Sequence, residues 1–187
     1  AQLAGDLQKT GIRVLAVPGN HDGPPGVYAR IFDSAPGLHL VNGHGFLLFA
    51  YQRGAEDHYA RTAADLALPA QAAARHPGVP LIAVQHNPIH PAILSGYPYM
   101  LDNNDAVLAS FRDAGVRLSL SGHYHPGQPA HEHEGVIYNT VPALAEAPCA
   151  FQHVRLAEGR AEVKTHALQV AVPGLCDVHC HTEFAYC

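Results

Sequence analysis

The chain has 187 residues, 48% of them hydrophobic and 14% charged, a balance that suits one globular domain with a real core and excludes a disordered chain. A formal net charge of −5 argues against a nucleic-acid-binding surface, which needs a basic patch, and no apolar run approaches the length of a membrane span.

In chain order, residues 1–10 have a helical pattern closed by Gly11, and Ile12 to Val17 reads as the first strand. Pro24-Pro25-Gly26 forms a loop and Val27 to Phe32 a short helix. Leu38 to Asn42 and Phe46 to Tyr51 read as strands around a Gly43-His44-Gly45 turn. Thr62 to Arg75 is an alanine-rich helix with Thr62 as its N-cap. Leu81 to Gln85 is a strand, and the stretch from Asn87 to Asp102, with Pro88, Pro91 and Pro98, is a loop. Asn104 to Ala114 is a helix stopped by Gly115, followed by a strand from Val116 to Ser121. Val136 to Thr140, Phe151 to Leu156 and Ala161 to Leu168 are strands, with Gly159 in the turn between the last two. The best boundary is Val172-Pro173-Gly174, which separates a domain over 1–172 from a linker and the start of a second unit over 173–187.

Three of the apolar runs end in histidine. Val14 to Val17 leads into Gly19-Asn20-His21-Asp22, Leu81 to Val84 into Gln85-His86-Asn87-Pro88, and Val116 to Ser121 into Gly122-His123-Tyr124-His125. Short apolar runs bounded by turn residues are buried strands, and in an α/β sheet chemistry gathers beyond the carboxyl ends of the strands. Asn20, His21, His86, His123 and His125 therefore converge at one sheet edge, and imidazoles with an amide oxygen suit a metal. Of the 15 histidines, His39, His44, His58, His76, His90, His153 and His166 are background, because none neighbours another ligand type in a turn after a strand. His131-Glu132-His133-Glu134 puts two imidazoles on one face if extended, but its setting reads as a solvated hairpin. Tyr97-Pro98-Tyr99 either lines the substrate pocket or packs as an ordinary loop, and Tyr124 is a packing residue.

Gly19-Asn20-His21-Asp22, His86 with Pro88 close behind, and Gly122-His123-Tyr124-His125 together resemble the calcineurin-like metallophosphoesterases, in order and in strand context, from the start of the chain to about Leu168. The resemblance implies an α/β fold, the α/β/β/α sandwich of that family, with two divalent metal ions at the sheet edge. The ions would be manganese, iron or zinc. Asn20, His86 and His123 would bind one and His125 the other. Asn20 and His21 would face the substrate phosphate, His21 would protonate the leaving oxygen or steady the developing charge, and Asp22 would orient His21. The implied reaction is hydrolysis of a small phosphomonoester or phosphodiester by water activated between the two metals. The loop from Asn87 to Asp102 loosely resembles the cyclic-nucleotide phosphodiesterase branch.

Two departures qualify the resemblance. The family opens with Asp-x-His, and then a Gly-Asp that supplies a bridging carboxylate; neither precedes Asn20, and Gly5-Asp6 lies in the first helix, where Asp6 is a solvated residue. The expectation is a chain missing its first strands and inactive by itself, the alternative a non-catalytic binding or scaffold domain on the same fold. The second departure is the tail, Cys176-Asp177-Val178-His179-Cys180-His181-Thr182-Glu183, which resembles the opening strand of a PHP (polymerase and histidinol phosphatase) domain, with His179 and His181 as possible metal ligands. Rival readings are a circular permutation, with Asp177 and His179 as the missing first motif, a small zinc site on Cys176, Cys180 and Cys187, and a frayed end cut mid-domain. The 4 cysteines, three of them in this tail, do not form a spread disulfide framework, and the expected location is cytoplasmic.

Overall fold

The computed structural model describes residues 2–22, 28, 31–32, 34–51, 58–157 and 160–168. The chain opens with helix α1 (Gln2–Lys9), on which Asp6 pairs with Lys9 at 2.8 Å in solvent. Most of the short helix expected at Val27 to Phe32 lies outside the described residues, as does everything from residue 169 onward, including the Val172-Pro173-Gly174 boundary and the His179 and His181 motif.

The central sheet has six strands: β1 (Gly37–Val41), β2 (His44–Leu48), β3 (Leu81–Val84), β4 (Val116–Ser121), β5 (Gln128–His133) and β6 (Val136–Thr140), in the order β1-β2-β3-β4-β6-β5. Strands β2, β3, β4 and β6 run parallel, while β1 and β5 are antiparallel edges. Helices α2 (Ala63–Arg75) and α3 (Asn104–Asp113) make the crossovers into β3 and β4 that parallel pairing requires. Thr62 caps α2 through a capping box with Asp65, so the start of this helix is encoded locally. Gly115 ends the α3 turn with φ 68°, a conformation that favours glycine.

Alternation along the strands sorts the two faces. Leu47, Phe49, Leu81 and Ala83 share a core with Ala72, Val107 and Phe111 of the helices. The opposite face carries Leu48, Ile82 and Leu118, all buried. Asn139 of β6 also points there, and its amide bonds the side chain of Gln152. Gln152 belongs to β7 (Ala150–Ala157), which forms a hairpin with β8 (Arg160–Ala167). The described layers are thus helices, the central sheet and a second two-stranded sheet, a mixed α/β architecture consistent with the expected sandwich.

Two expectations need correction. Ile12 to Val17 is not a strand: no ladder reaches it among the described residues. Its polar groups are met by side chains instead, Ser34 Oγ accepting from the Ala16 N–H at 3.1 Å and the Tyr28 hydroxyl donating to the Val17 carbonyl at 2.9 Å. An apolar run codes for an extended, partly buried chain, but only a neighbouring backbone makes it a strand. The turn between β1 and β2 is Asn42-Gly43, not Gly43-His44-Gly45. Both turn residues have positive φ (48° and 78°), the two-residue hairpin geometry that matches strand twist, so His44 pairs with Val41 as a strand residue.

Candidate functional site

Parallel strands deliver their carboxyl ends to the same edge, and β3 and β4 do so side by side. His86 follows β3 by two residues and His123 follows β4 by two. The ladder continues past both strands: Gln85 N–H donates to the Leu120 carbonyl at 3.0 Å and Gly122 N–H to the His86 carbonyl at 2.9 Å. These bonds fix the two loops to each other, and hence the two imidazoles. The segment Val17 to Asp22 crosses the same edge, and Val17, Asn20, His21, Asp22, His86 and His123 are among the residues lining one open cleft of about 360 Å³.

Three donor atoms meet in that cleft. His86 Nε2 lies 2.9 Å from Asn20 Oδ1 and 2.9 Å from His123 Nδ1. Asn20 Oδ1 has no proton to give, and His86 Nε2 and His123 Nδ1 have room for only one between them, so at least one of the two nitrogens presents a bare lone pair. The imidazoles are neutral at pH 7. Burial first, and then the neighbouring His123, His21 and His125 rings, push His86 down to about 3; burial, then His125 and His21, push His123 down to about 4. Two neutral imidazole nitrogens and an amide oxygen facing one point are a donor set for a borderline divalent ion. Among the described residues no three His, Cys, Asp or Glu side chains stand as a ready metal shell, and here the third donor is an amide.

His123 sits in this place at a cost. Its φ is +66°, unusual for a residue with a side chain, and only 8% of it is exposed. Backbone strain held at a buried polar residue points to function. The ring is enclosed by Tyr59, Tyr97 and Tyr99, with centroids 6.4, 5.6 and 5.2 Å away. Tyr97 and Tyr99 therefore pack behind His123 and do not line the cleft, and Tyr124 packs edge-on against Tyr99 at 5.2 Å. Tyr51 meets the His86 ring edge-on at 5.2 Å.

Gly19 has no side chain to act in the chemistry, yet it shapes the site. A Cβ there would stand 2.6 Å from His86 Cε1 and 2.7 Å from its Nδ1. We expect Gly19→Ala to displace the His86 ring and weaken cation binding roughly 10–100-fold, as loss of an outer support does. Isothermal titration with Zn²⁺ or Mn²⁺ checks it; unchanged affinity would show that the ring has room to give.

His21 and His125 line the same cleft but stand apart from the three-atom cluster, and their fields reach it, since both depress His86 and His123. His125 Nδ1 pairs with Glu146 Oε1 at 2.6 Å, both side chains nearly half exposed. Asp22 does not reach His21 among the described hydrogen bonds; its Oδ2 accepts the Gly19 N–H at 2.7 Å and closes the turn that presents Asn20 and His21. Among the described residues, the Asp22 and Glu146 carboxylates near the cleft are thus engaged by other groups. Glu146 carries no sequence signal of its own, because it reaches His125 across 21 residues.

The histidines read as background are mostly so. His39 bonds the Ala35 carbonyl, His44 the Asn42 carbonyl, and His58 pairs with Asp102. His90 is the exception: it lies against His131 and His133.

Comparison with known proteins gives the family and the fold. Residues 1–127 match the family model described as Calcineurin-like phosphoesterase. A dimetal phosphatase from Danio rerio superposes with a TM-score of 0.52 at 22% identity, over 60% of this chain and 37% of that one. The TT1561 protein of Thermus thermophilus superposes with a TM-score of 0.58 at 14% identity, over 87% of this chain and 76% of that one. This chain thus spans little more than a third of the length of the zebrafish phosphatase. No curated protein matches it. No helix among the described residues is long and apolar enough to cross a membrane.

Proposed function

Since the chain belongs to the calcineurin-like phosphoesterase family, we propose that in the intact protein its cleft serves the hydrolysis of small phosphomonoesters or phosphodiesters with two divalent cations (manganese, iron or zinc), Asn20, His86 and His123 holding the first. The observation that carries this reading is that Asn20 Oδ1 and His123 Nδ1 each lie 2.9 Å from His86 Nε2. When bound, such a cation supplies Lewis acidity to a phosphate oxygen and lowers the pKa of water. The chain's own residues do the rest. The Asn20 amide and the His21 ring face the substrate phosphate, and a His21 ring nitrogen gives its proton to the leaving oxygen. Asp22 acts through the Gly19 turn, which holds Asn20 and His21 at the cleft.

For a second cation the described residues offer His125 and no free carboxylate between it and the cluster, so we expect the chain alone to bind one equivalent at this edge and to leave p-nitrophenyl phosphate and its bis-ester at background. The domain over 1–172, the PHP-like start at 173 and a cytoplasmic location belong to the same reading.

The test reads cation content and binding of inorganic phosphate together. Phosphate should bind only when Mn²⁺ or Zn²⁺ is present. His21→Ala should weaken phosphate binding about tenfold, the scale of one charge-assisted contact, and leave cation content unchanged. Phosphate binding that ignores the cation would overturn the proposal and favour the scaffold reading. Chelator-sensitive turnover by the chain, lost in His123→Ala, would overturn only the single-cation count, with Asp177 and His179 the first residues to test.

A further inference from the structure

Outside the cleft a second group of imidazoles meets. His131 and His133 lie two residues apart on β5 and so project from one face of the strand, with Glu132 on the other. Against them stands His90, from the loop that leaves β3. His90 Nδ1 is 2.6 Å from His131 Nε2, and the His90 and His133 rings stack with centroids 4.0 Å apart and planes 11° from parallel. Tyr138 of β6 packs beside His90 and His131, so all three rings are half-buried. The ladder shifts register between Gln128 and His131, a bulge that re-aims the histidines on this edge strand. None of the three lines the cleft.

We propose that His90, His131 and His133 form a separate site for a borderline divalent cation such as Zn²⁺, Ni²⁺ or Cu²⁺. Three imidazoles are the softest all-nitrogen set a protein surface offers to these ions. A histidine pair at i, i+2 on a strand presents two nitrogens to one side, and His90 adds a third from a segment 41 residues away in sequence. As they stand, the rings form a hydrogen-bonded stack and not a coordination shell. One proton lies between His90 and His131; a cation in its place, with nitrogens at about 2.0–2.1 Å in a tetrahedral shell, needs them about 3.3 Å apart. The His90–His131 gap must therefore open by somewhat under an ångström, and the His133 ring must tilt out of its stack. Half-buried rings on an edge strand and on the loop beside it can make both moves. Bound there, the cation would tie β5 to the loop that carries Tyr97 and Tyr99 behind His123.

The experiment titrates the metal-stripped full chain with Zn²⁺, beside His131→Gln and His133→Gln. We expect each variant to bind one equivalent fewer than the parent while keeping its urea midpoint in chelator. We also expect the equivalent lost in His123→Ala to be a different one, so that the two losses add in the combined variant. Equal stoichiometry in the parent and both variants would overturn the site and leave the cleft untouched. Should either variant fail to fold, Ni²⁺ added to the unsubstituted chain decides: the ring proton signals of His90, His131 and His133 should broaden together, and sharp signals at one equivalent beyond the cleft's would overturn the proposal.

Discussion

His123→Ala should lower cation affinity at the cleft by more than about 100-fold, above the 10–100-fold that loss of an outer support costs a metal site. His123 contributes one of the three converging atoms, and its removal leaves His86 Nε2 and Asn20 Oδ1 as a two-point site. Alanine also tolerates φ +66° less well than asparagine does, so part of any effect could come from the backbone. His123→Asn separates the two: it suits the left-handed backbone while removing the imidazole nitrogen. Both variants should lose the cation, and His123→Asn should keep the parent's urea midpoint more nearly. Wild-type affinity in His123→Asn would mean that the ring is a packing group among Tyr59, Tyr97 and Tyr99 and not a ligand.

Acid should unfold the metal-free chain through the same two rings. An unfolded histidine titrates near 6.5, whereas folded His86 and His123 are pushed down to about 3 and about 4. The unfolded chain therefore takes up protons first as the pH falls. The stability these rings contribute is fully present above about pH 6.5 and is lost progressively down to about pH 4 and then 3. At about 1.4 kcal/mol per pH unit and ring, discounted because the two rings titrate together and His86 is partly exposed, the loss is on the order of 2–4 kcal/mol. His90 is also shifted down, by burial first and then by His133 and His131, and adds in the same direction. Urea midpoints in chelator at pH 7.5 and pH 4.5 measure the effect. A drop that persists undiminished when both rings are replaced, as in His86→Gln with His123→Asn, would assign it to other groups. Cation should restore stability near neutral pH and lose that power as protons compete for the same nitrogens.

Much of the fold is legible because it is written locally. Leu81 to Val84 is apolar throughout, the signature of a central parallel strand, and Val116 to Ser121 alternates apolar residues with Arg117, Ser119 and Ser121, small enough in the two serines to be buried as well. Thr62 with Asp65, Gly115, and the prolines after Asn87 each act within a few residues of themselves, so element ends and loops follow from chemistry close at hand. His86 and His123 are legible for the same reason: each closely follows its strand, and parallel strands send their carboxyl ends to one edge.

Long-range pairing is what the sequence leaves undetermined. Ile12 to Val17 has the composition of a strand, but whether it becomes one depends on a neighbouring backbone, and the described one supplies side chains instead. The Asn42-Gly43 turn shows the same limit at short range, since several glycines competed for it and strand register settled the choice. Glu146 meets His125 and His90 meets His131 across 21 and 41 residues, distances over which composition carries no information about contact. By itself, then, the sequence determined the parallel core, the helix caps and which residue types stand at the sheet edge, because propensity, patterning and capping act over a few residues. Only the tertiary structure decided which nitrogens face one another, that Gly19 makes room for the His86 ring, and that Asp22 accepts the Gly19 N–H and closes its own turn. Those relations depend on chain segments brought together by burial, and burial is settled by the whole core at once.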